Sequence, residues 1–320
     1  MMDSAKLLAL LEHDCRAVVL ESTTSTNDEV VRRAALGDAR SSSAPLVVVS
    51  AEQTAGRGRL GRVWASPPGG VYLSMLFGQG VNGVPEELLA SLSPLVALSL
   101  RHAFGQFTHD DPHIKWPNDV LTARGKLAGV LVEVKRGNRT PSAESTGARA
   151  AGVREAPALA PASVLALASA SAPALAPASV LALASATVPV SPASDFALQL
   201  IVGVGVNVNR PLAGAFAGAA YLNDGAKREL SREAVAAAVI NSVLERQNQW
   251  RAHGCSFAPF VAEYQEHFLY QGARVCVRDA MGAEVASGIV TGIDEWGRLL
   301  LEGAGGVSAV AAGEVTLRDV

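Results

Sequence analysis

The sequence predicts a chain of mixed structure, α/β or α+β, with a small all-β barrel appended at its C-terminal end. Two observations carry this. Strand-like and helix-like stretches interleave up to about residue 268, the pattern of helices packed on a sheet. From about residue 271 short β-branched runs (RVCV, VASGIVTGI, RLLLE) alternate with Gly and Asp turns, the texture of a compact barrel. The expected division is therefore a main domain over 1–268 and a barrel over 269–320.

In chain order, a short strand at 18–20 precedes small polar residues and acids, Glu21 to Glu29, that lead into a helix expected to stop at Gly37. PLVVVS at 45–50 reads as a buried strand, VYLSMLF at 71–77 as an alternating one, and 86–103 as an apolar helix. Residues 114–134 read as two strands around a turn rich in Pro, Asn, Asp and Gly, and 196–208 as another strand. Helices follow at roughly 231–251 and 257–268.

Between 137 and 195 lies a segment of another kind. ALAPASVLALASA at 158–170 recurs unchanged at 174–186, and no charged residue occurs from 156 to 194. Pro161, Pro173, Pro177 and Pro189 leave no piece near the ~20 residues of a membrane span, and two repeats are too few for a solenoid. The composition is that of a low-complexity insertion, looped between paired strands at 128–134 and 196–206.

Bulk composition narrows the function classes. A net charge of −3 and a pI near 6.1 provide no general cationic field for nucleic acid, so anion binding requires a local cluster. Cys15, Cys255 and Cys276 form no C-x-x-C pair, which argues against a disulfide framework or structural zinc. The N-terminal apolar run is too short for a secretory signal, so the expected location is cytoplasmic.

Three constellations carry chemistry. The first is Gly56-Arg57-Gly58-Arg59-Leu60-Gly61-Arg62-Val63-Trp64. It formally satisfies G-x-G-x-x-G, but it runs into Ala65-Ser66-Pro67-Pro68 rather than a helix, which excludes a dinucleotide loop. No Walker ending or kinase element accompanies it. What remains is a flexible loop with three guanidiniums, read as an anion clamp, with a solvated basic turn as the plainer alternative.

The second is Lys115-Trp116-Pro117-Asn118-Asp119 followed by Gly125-Lys126-Leu127-Ala128-Gly129. A lysine opening an apolar strand is costly to desolvate unless it faces an anion. Asp119 on its turn could hold magnesium. A snorkelling lysine and a turn-forming aspartate are the plainer readings. The third is Gly203-Val204-Gly205-Val206-Asn207, where glycines inside an apolar strand mark either a close approach or a bulge. Together these residues describe a site for a phosphate-rich anion with a metal, which favours ATP chemistry and names no substrate.

The ordered motifs S-T-N, G-R-G-R-x-G-R-x-W, K-W-P-N-D, G-K-L-A-G-V-L-V-E and G-V-G-V-N-V-N closely resemble those of the bacterial biotin–protein ligases, over about 18–135 and 196–320. The resemblance implies an α+β mixed-sheet catalytic domain related to class II aminoacyl-tRNA synthetases, with an SH3-like C-terminal barrel. It implies ATP and Mg2+ as cofactors, biotin as substrate, and a lysine of the biotin carboxyl carrier protein of acetyl-CoA carboxylase and similar carboxylases as acceptor. Ser25, Thr26, Asn27 and Gln53 would line the biotin pocket, with Gly129 against the ligand. Arg57, Gly58 and Arg59 would close over biotin and phosphates. Lys126 would hold the biotin carboxylate and the α-phosphate, so that Lys126 and Arg59 are the catalytic candidates. Arg62, Trp64, Lys115, Asn118 and Asn207 would contact the nucleotide, and Asp119 the metal.

Only 24 residues precede Ser25, too few for the helix-turn-helix of the family's repressor members, so no DNA-binding role is expected. No membrane or nucleic-acid partner is expected either, and the expected assembly is a monomer or weak homodimer. A lipoate–protein ligase on the same fold, or a non-catalytic sensor of biotin or its adenylate, are the rival readings.

Overall fold

A computed structural model describes residues 2–38, 44–77, 89–138, 196–212, 214–224 and 229–317. Seven strands form the main sheet: β1 Arg16–Leu20, β2 Leu46–Ser50, β3 Val71–Phe77, β4 His113–Lys115, β5 Asp119–Thr122, β6 Gly125–Asn138 and β7 Phe196–Val206. Their order is β1-β2-β3-β7-β6-β5-β4; β1 and β2 run parallel and the other neighbours antiparallel, so the sheet is mixed.

The period-2 alternation of the strands sorts two apolar layers. Val47, Val49, Leu73 and Met75 point to one face, where α3 Leu92–Phe104 and α4 Arg232–Ala252 cover them. Leu46, Val48, Leu76 and Ile201 point to the other face, where α2 Thr26–Arg33 packs through Val30. Tyr72 and Ser74 share the α2 side, so β3 places a fully buried hydroxyl beneath the start of that helix.

A second sheet, wholly antiparallel, holds β8 Arg274–Arg278, β9 Glu284–Ile293, β10 Leu299–Gly303, β11 Gly306–Val310 and β12 Glu314–Leu317. Its inward residues, among them Val277, Val290, Leu299 and Val315, join the core of the main sheet. The Trp116 indole donates across to the Gly297 carbonyl at 3.0 Å, deep in that joint.

Several expectations shift. Residues 113–134 form three strands rather than two, because a second turn at Ala123-Arg124 ends β5 and Gly125, at φ 140°, restarts the chain as β6. The helix expected at 257–268 is a 3-10 turn, Ala258–Phe260, and a short α5, Val261–Glu266. Helix α2 loosens after Arg33 into a π-turn ending at Asp38, one residue beyond Gly37. The strands flanking the insertion do pair, with Asn138 opposite Phe196, and β6 runs past the expected end at 134. The Ala/Pro repeat itself lies outside the described residues, as do 86–88 of the expected apolar helix. No helix among the described residues is long and apolar enough to cross a membrane.

Candidate active site

A cleft open to solvent lies where the start of α2, the glycine loop and strands β6 and β7 meet. Ser25, Thr26, Asn27, Gln53, Arg57, Gly58, Arg59, Trp64, Asn118, Lys126 and Gly129 all line it. Most residues expected to form the site are thus brought together from distant parts of the chain.

One end of the cleft is polar and neutral. Ser25 is the N-cap of α2, yet its hydroxyl makes no capping bond and is left for other use. Gln53 Oε1 accepts from the Thr26 amide at 2.8 Å and its hydroxyl at 3.1 Å, while Gln53 Nε2 donates to Ser66 Oγ at 2.9 Å. Asn27 Nδ2 donates to Glu133 at 2.6 Å, and its Oδ1 lies 2.5 Å from Ser74 Oγ. Ser74 Oγ is also 2.7 Å from Thr26 Oγ1, so its single proton serves one of the two acceptors. Both amides are fixed in orientation by these bonds, and each keeps one N–H for a ligand.

The other end is charged. Lys126 Nζ pairs with Asp119 at 2.7 Å and stands 5.1 Å from the centre of the Trp64 ring. Asn118 links the charges: its Oδ1 accepts from Arg59 at 2.8 Å and its Nδ2 donates to Asp119 at 2.8 Å. Arg59 also reaches the Gly313 carbonyl of the second sheet at 3.4 Å. Partial burial lowers the Arg59 pKa from its ordinary value, with Asp119 and Glu314 acting against the shift, so a half-buried cation faces the cleft.

Trp64 explains two of the strand glycines. Gly129 and Gly205 are opposite each other in the β6–β7 register, and the indole lies on the flat seat they leave. A Cβ at Gly129 would stand 3.1 Å from the ring and 3.3 Å from Lys126 Nζ; one at Gly205 would collide with the indole edge. The close approach expected of these glycines is therefore made first by the chain's own tryptophan. Its indole N–H is buried and has no partner among the described residues. A second hollow adjoins the ring, lined by Asn207, Phe216 and Lys126.

The glycine loop, expected to be flexible, is folded here as a tight hairpin. Trp64 N donates to Gly56 O at 3.0 Å and Gly58 N to Arg62 O at 2.7 Å, around a 3-10 turn at Arg59–Gly61. Its three arginines part company. Arg59 faces the charged end, Arg57 forks onto Asp28, and Arg62 pairs with Glu314 outside the cleft lining. Lys115 also lies outside that lining. The three-arginine clamp is one cation in this conformation, because acidic neighbours far away in sequence take the other two.

Ser66, Ser74, Glu133 and Asp28 had no role in the sequence reading. Ser74 left a signal, a small hydroxyl on the inner face of an otherwise apolar strand. Glu133 closes the G-K-L-A-G-V-L-V-E motif but was given no role there, and Asp28 left no signal, since it looks like an ordinary surface carboxylate at a helix start.

Among the described residues no cluster of three His, Cys, Asp or Glu side chains could hold a metal. Asp119 is the carboxylate at the charged end. One carboxylate suits a Mg2+ that arrives on nucleotide phosphates and keeps its waters, rather than a resident ion.

Residues 19–148 match the family model described as Biotin/lipoate A/B protein ligase family, and 272–318 match that of the Biotin protein ligase C terminal domain. The chain belongs to this ligase family. A biotin–[acetyl-CoA-carboxylase] ligase of Mycobacterium tuberculosis is 28% identical over 93% of this chain and 87% of its own length. One from Paracoccus denitrificans is 40% identical over 36% of this chain and 45% of its own length. The fold is that of the Aquifex aeolicus biotin protein ligase in complex with biotin and ATP, at a TM-score of 0.62 and 24% identity, covering 95% of this chain and 99% of that one.

Proposed function

We propose that the chain is an ATP-dependent biotin–protein ligase. It activates biotin as biotinyl-5'-AMP and then transfers it to a lysine of the biotin carboxyl carrier protein of acetyl-CoA carboxylase and similar carboxylases. The observation that carries this is one cleft with a neutral hydrogen-bonding end and a cationic end. Biotin has the same two ends: a ureido ring that donates and accepts, and a carboxylate on an aliphatic stem.

Ser25, Thr26, Asn27 and Gln53 hold the ring, which leaves the carboxylate at Lys126 and Arg59. Biotin's carboxylate oxygen attacks the α-phosphorus of ATP, the bond to the β-phosphate breaks, and pyrophosphate leaves; Asp119 would hold a Mg2+ that screens the phosphate charge. Lys126 offsets the repulsion between the two anions, and Arg59 faces the charge that gathers on the phosphorus. The Lys126–Asp119 pair opens or is shared as the anions arrive. Trp64 and Asn207 face the hollow beside the cleft, which suits the adenosine. In the second step the amine of the carrier lysine attacks the acyl carbon, AMP leaves, and the amine loses a proton. The glycine loop keeps water from the mixed anhydride until then.

We read residues 1–268 as the catalytic domain and 269–320 as an SH3-like barrel that buttresses it through Trp116 and Arg59. The protein is expected to act in the cytoplasm, as a monomer or weak dimer. The acidic balance, and the engagement of Arg57 and Arg62 with carboxylates, give no reason to expect a repressor role.

Transfer of labelled biotin to a purified carrier domain, with and without ATP–Mg2+, tests the proposal. Label that depends on both confirms it. Tight biotin binding without transfer points to a sensor, and transfer of lipoate instead of biotin refutes the substrate assignment.

A further inference from the structure

Asp28 belongs to no motif and lines neither hollow of the site, yet three other charged groups gather beside it. Its carboxylate takes the Arg57 guanidinium bidentately, at 2.5 and 2.8 Å. Glu133 Oε2 lies 3.7 Å from the same guanidinium, and Lys135 Nζ lies 3.9 Å from Asp28. Two anions and two cations thus alternate along an open row, Glu133–Arg57–Asp28–Lys135, that ties the glycine loop to α2 and β6. The row sits at the neutral end of the cleft, so Arg57 is held beside the ring-binding residues and away from the phosphates.

Glu133 is the member under competition. At 2.6 Å it accepts the Asn27 amide, and at 3.7 Å it already neighbours Arg57. A guanidinium with one carboxylate partner takes it in a fork, the strongest geometry open to it. While Asp28 occupies the Arg57 fork, Glu133 remains with Asn27 and fixes which way that amide points. Without the Asp28 charge, Arg57 turns to Glu133, Asn27 loses one of its two orienting partners, and the loop is released from α2.

We propose that Asp28 is a positioning residue for biotin: it holds Arg57 off Glu133, and so both closes the glycine loop on the empty pocket and sets the Asn27 amide for the ureido ring. The identity of the ligand rests on the function proposed above; the coupling of Asp28 to the loop does not. The Asp28–Arg57 hydrogen bond also draws the Asp28 pKa below its ordinary value and raises that of Arg57, so the pair stays charged at neutral pH.

The test compares wild type with Asp28→Asn and the charge-retaining Asp28→Glu. Two readouts are measured on the full chain: tryptic cleavage in the loop after Arg57 and Arg59 without ligand, and the dissociation constant and off-rate of biotin. Asp28→Asn is expected to speed loop cleavage and to weaken biotin by about fivefold through the off-rate, the scale of one well-formed, partly exposed ion pair. The KM for ATP should stay within twofold, a split that general unfolding would not produce, and Asp28→Glu should recover part of both losses. Unchanged cleavage and unchanged biotin off-rate in Asp28→Asn overturn the proposal while leaving the ligase intact. If wild type binds no biotin, the function fails instead, and the cleavage comparison still decides whether Asp28 straps the loop.

Discussion

Replacing Gly205 by alanine separates the two ends of the cleft. Gly205 is paired on both sides, with Tyr72 of β3 and Gly129 of β6, so its backbone has no room to retreat. The new methyl would stand 2.6 Å from Trp64 Cε2 and 3.0 Å from Cζ2, with the indole nitrogen closer still. Ordinary carbon contacts begin near 3.5 Å, so the indole must move by about 1 Å. It is the ring that gives way, because Trp64 is only half-buried and lies outside the main core. The shift lifts the ring from its glycine seat and disturbs the Lys126 contact, an interaction worth roughly 1–2 kcal/mol when partly desolvated. The KM for MgATP should therefore rise about tenfold in pyrophosphate-exchange kinetics, since 1.4 kcal/mol is a factor of about ten. Biotin affinity measured by calorimetry should fall less, because Thr26, Asn27, Gln53 and Arg59 keep their places and only the contact with Lys126 is disturbed. An equal loss of biotin affinity, or an unaltered KM for ATP, would refute the assignment of Trp64 to the nucleotide.

Other changes test other parts of the site. Lys126→Met should cut adenylate formation by at least about a hundredfold, as loss of a preorganised charge at the reacting centre does, seen as the single-turnover burst of biotinyl-AMP. Arg59→Gly should make adenylate leak and label bystander lysines, so labelling confined to the proper carrier would rule out that role for the loop. Trp116→Phe leaves the buried Gly297 carbonyl without its donor, which costs about 1–3 kcal/mol and should lower the Tm by several degrees. Glu29 is held at about 2 chiefly by its hydrogen bonds to Arg32 and Arg33, against burial. A carboxylate depressed in the folded state stabilises above its unfolded value, near 4.5, and that contribution fades as pH falls towards 2. The stability gap between wild type and Glu29→Gln should therefore be constant above about pH 5 and close towards pH 2 in urea titrations.

What the sequence determined by itself were the local elements and most of the residues that line the cleft. Apolar runs and alternation set β2, β3 and β7 to within two residues, and the ordered motifs named nearly every side chain that lines the cleft. Both signals are local, carried by the spacing of a few neighbouring residues. Only the tertiary structure decided how those residues are shared out. Three arginines within six residues look like one clamp, but Asp28 takes Arg57 and Glu314 takes Arg62, leaving Arg59 to the cleft through Asn118. Gly129 and Gly205 read as room for a ligand until the register set them side by side beneath Trp64. Asn27 reads as a binding residue, yet its orientation depends on Ser74 and Glu133, from strands that meet only in the folded sheet. Partners of this kind are joined by long-range packing, and no spacing along the chain encodes them.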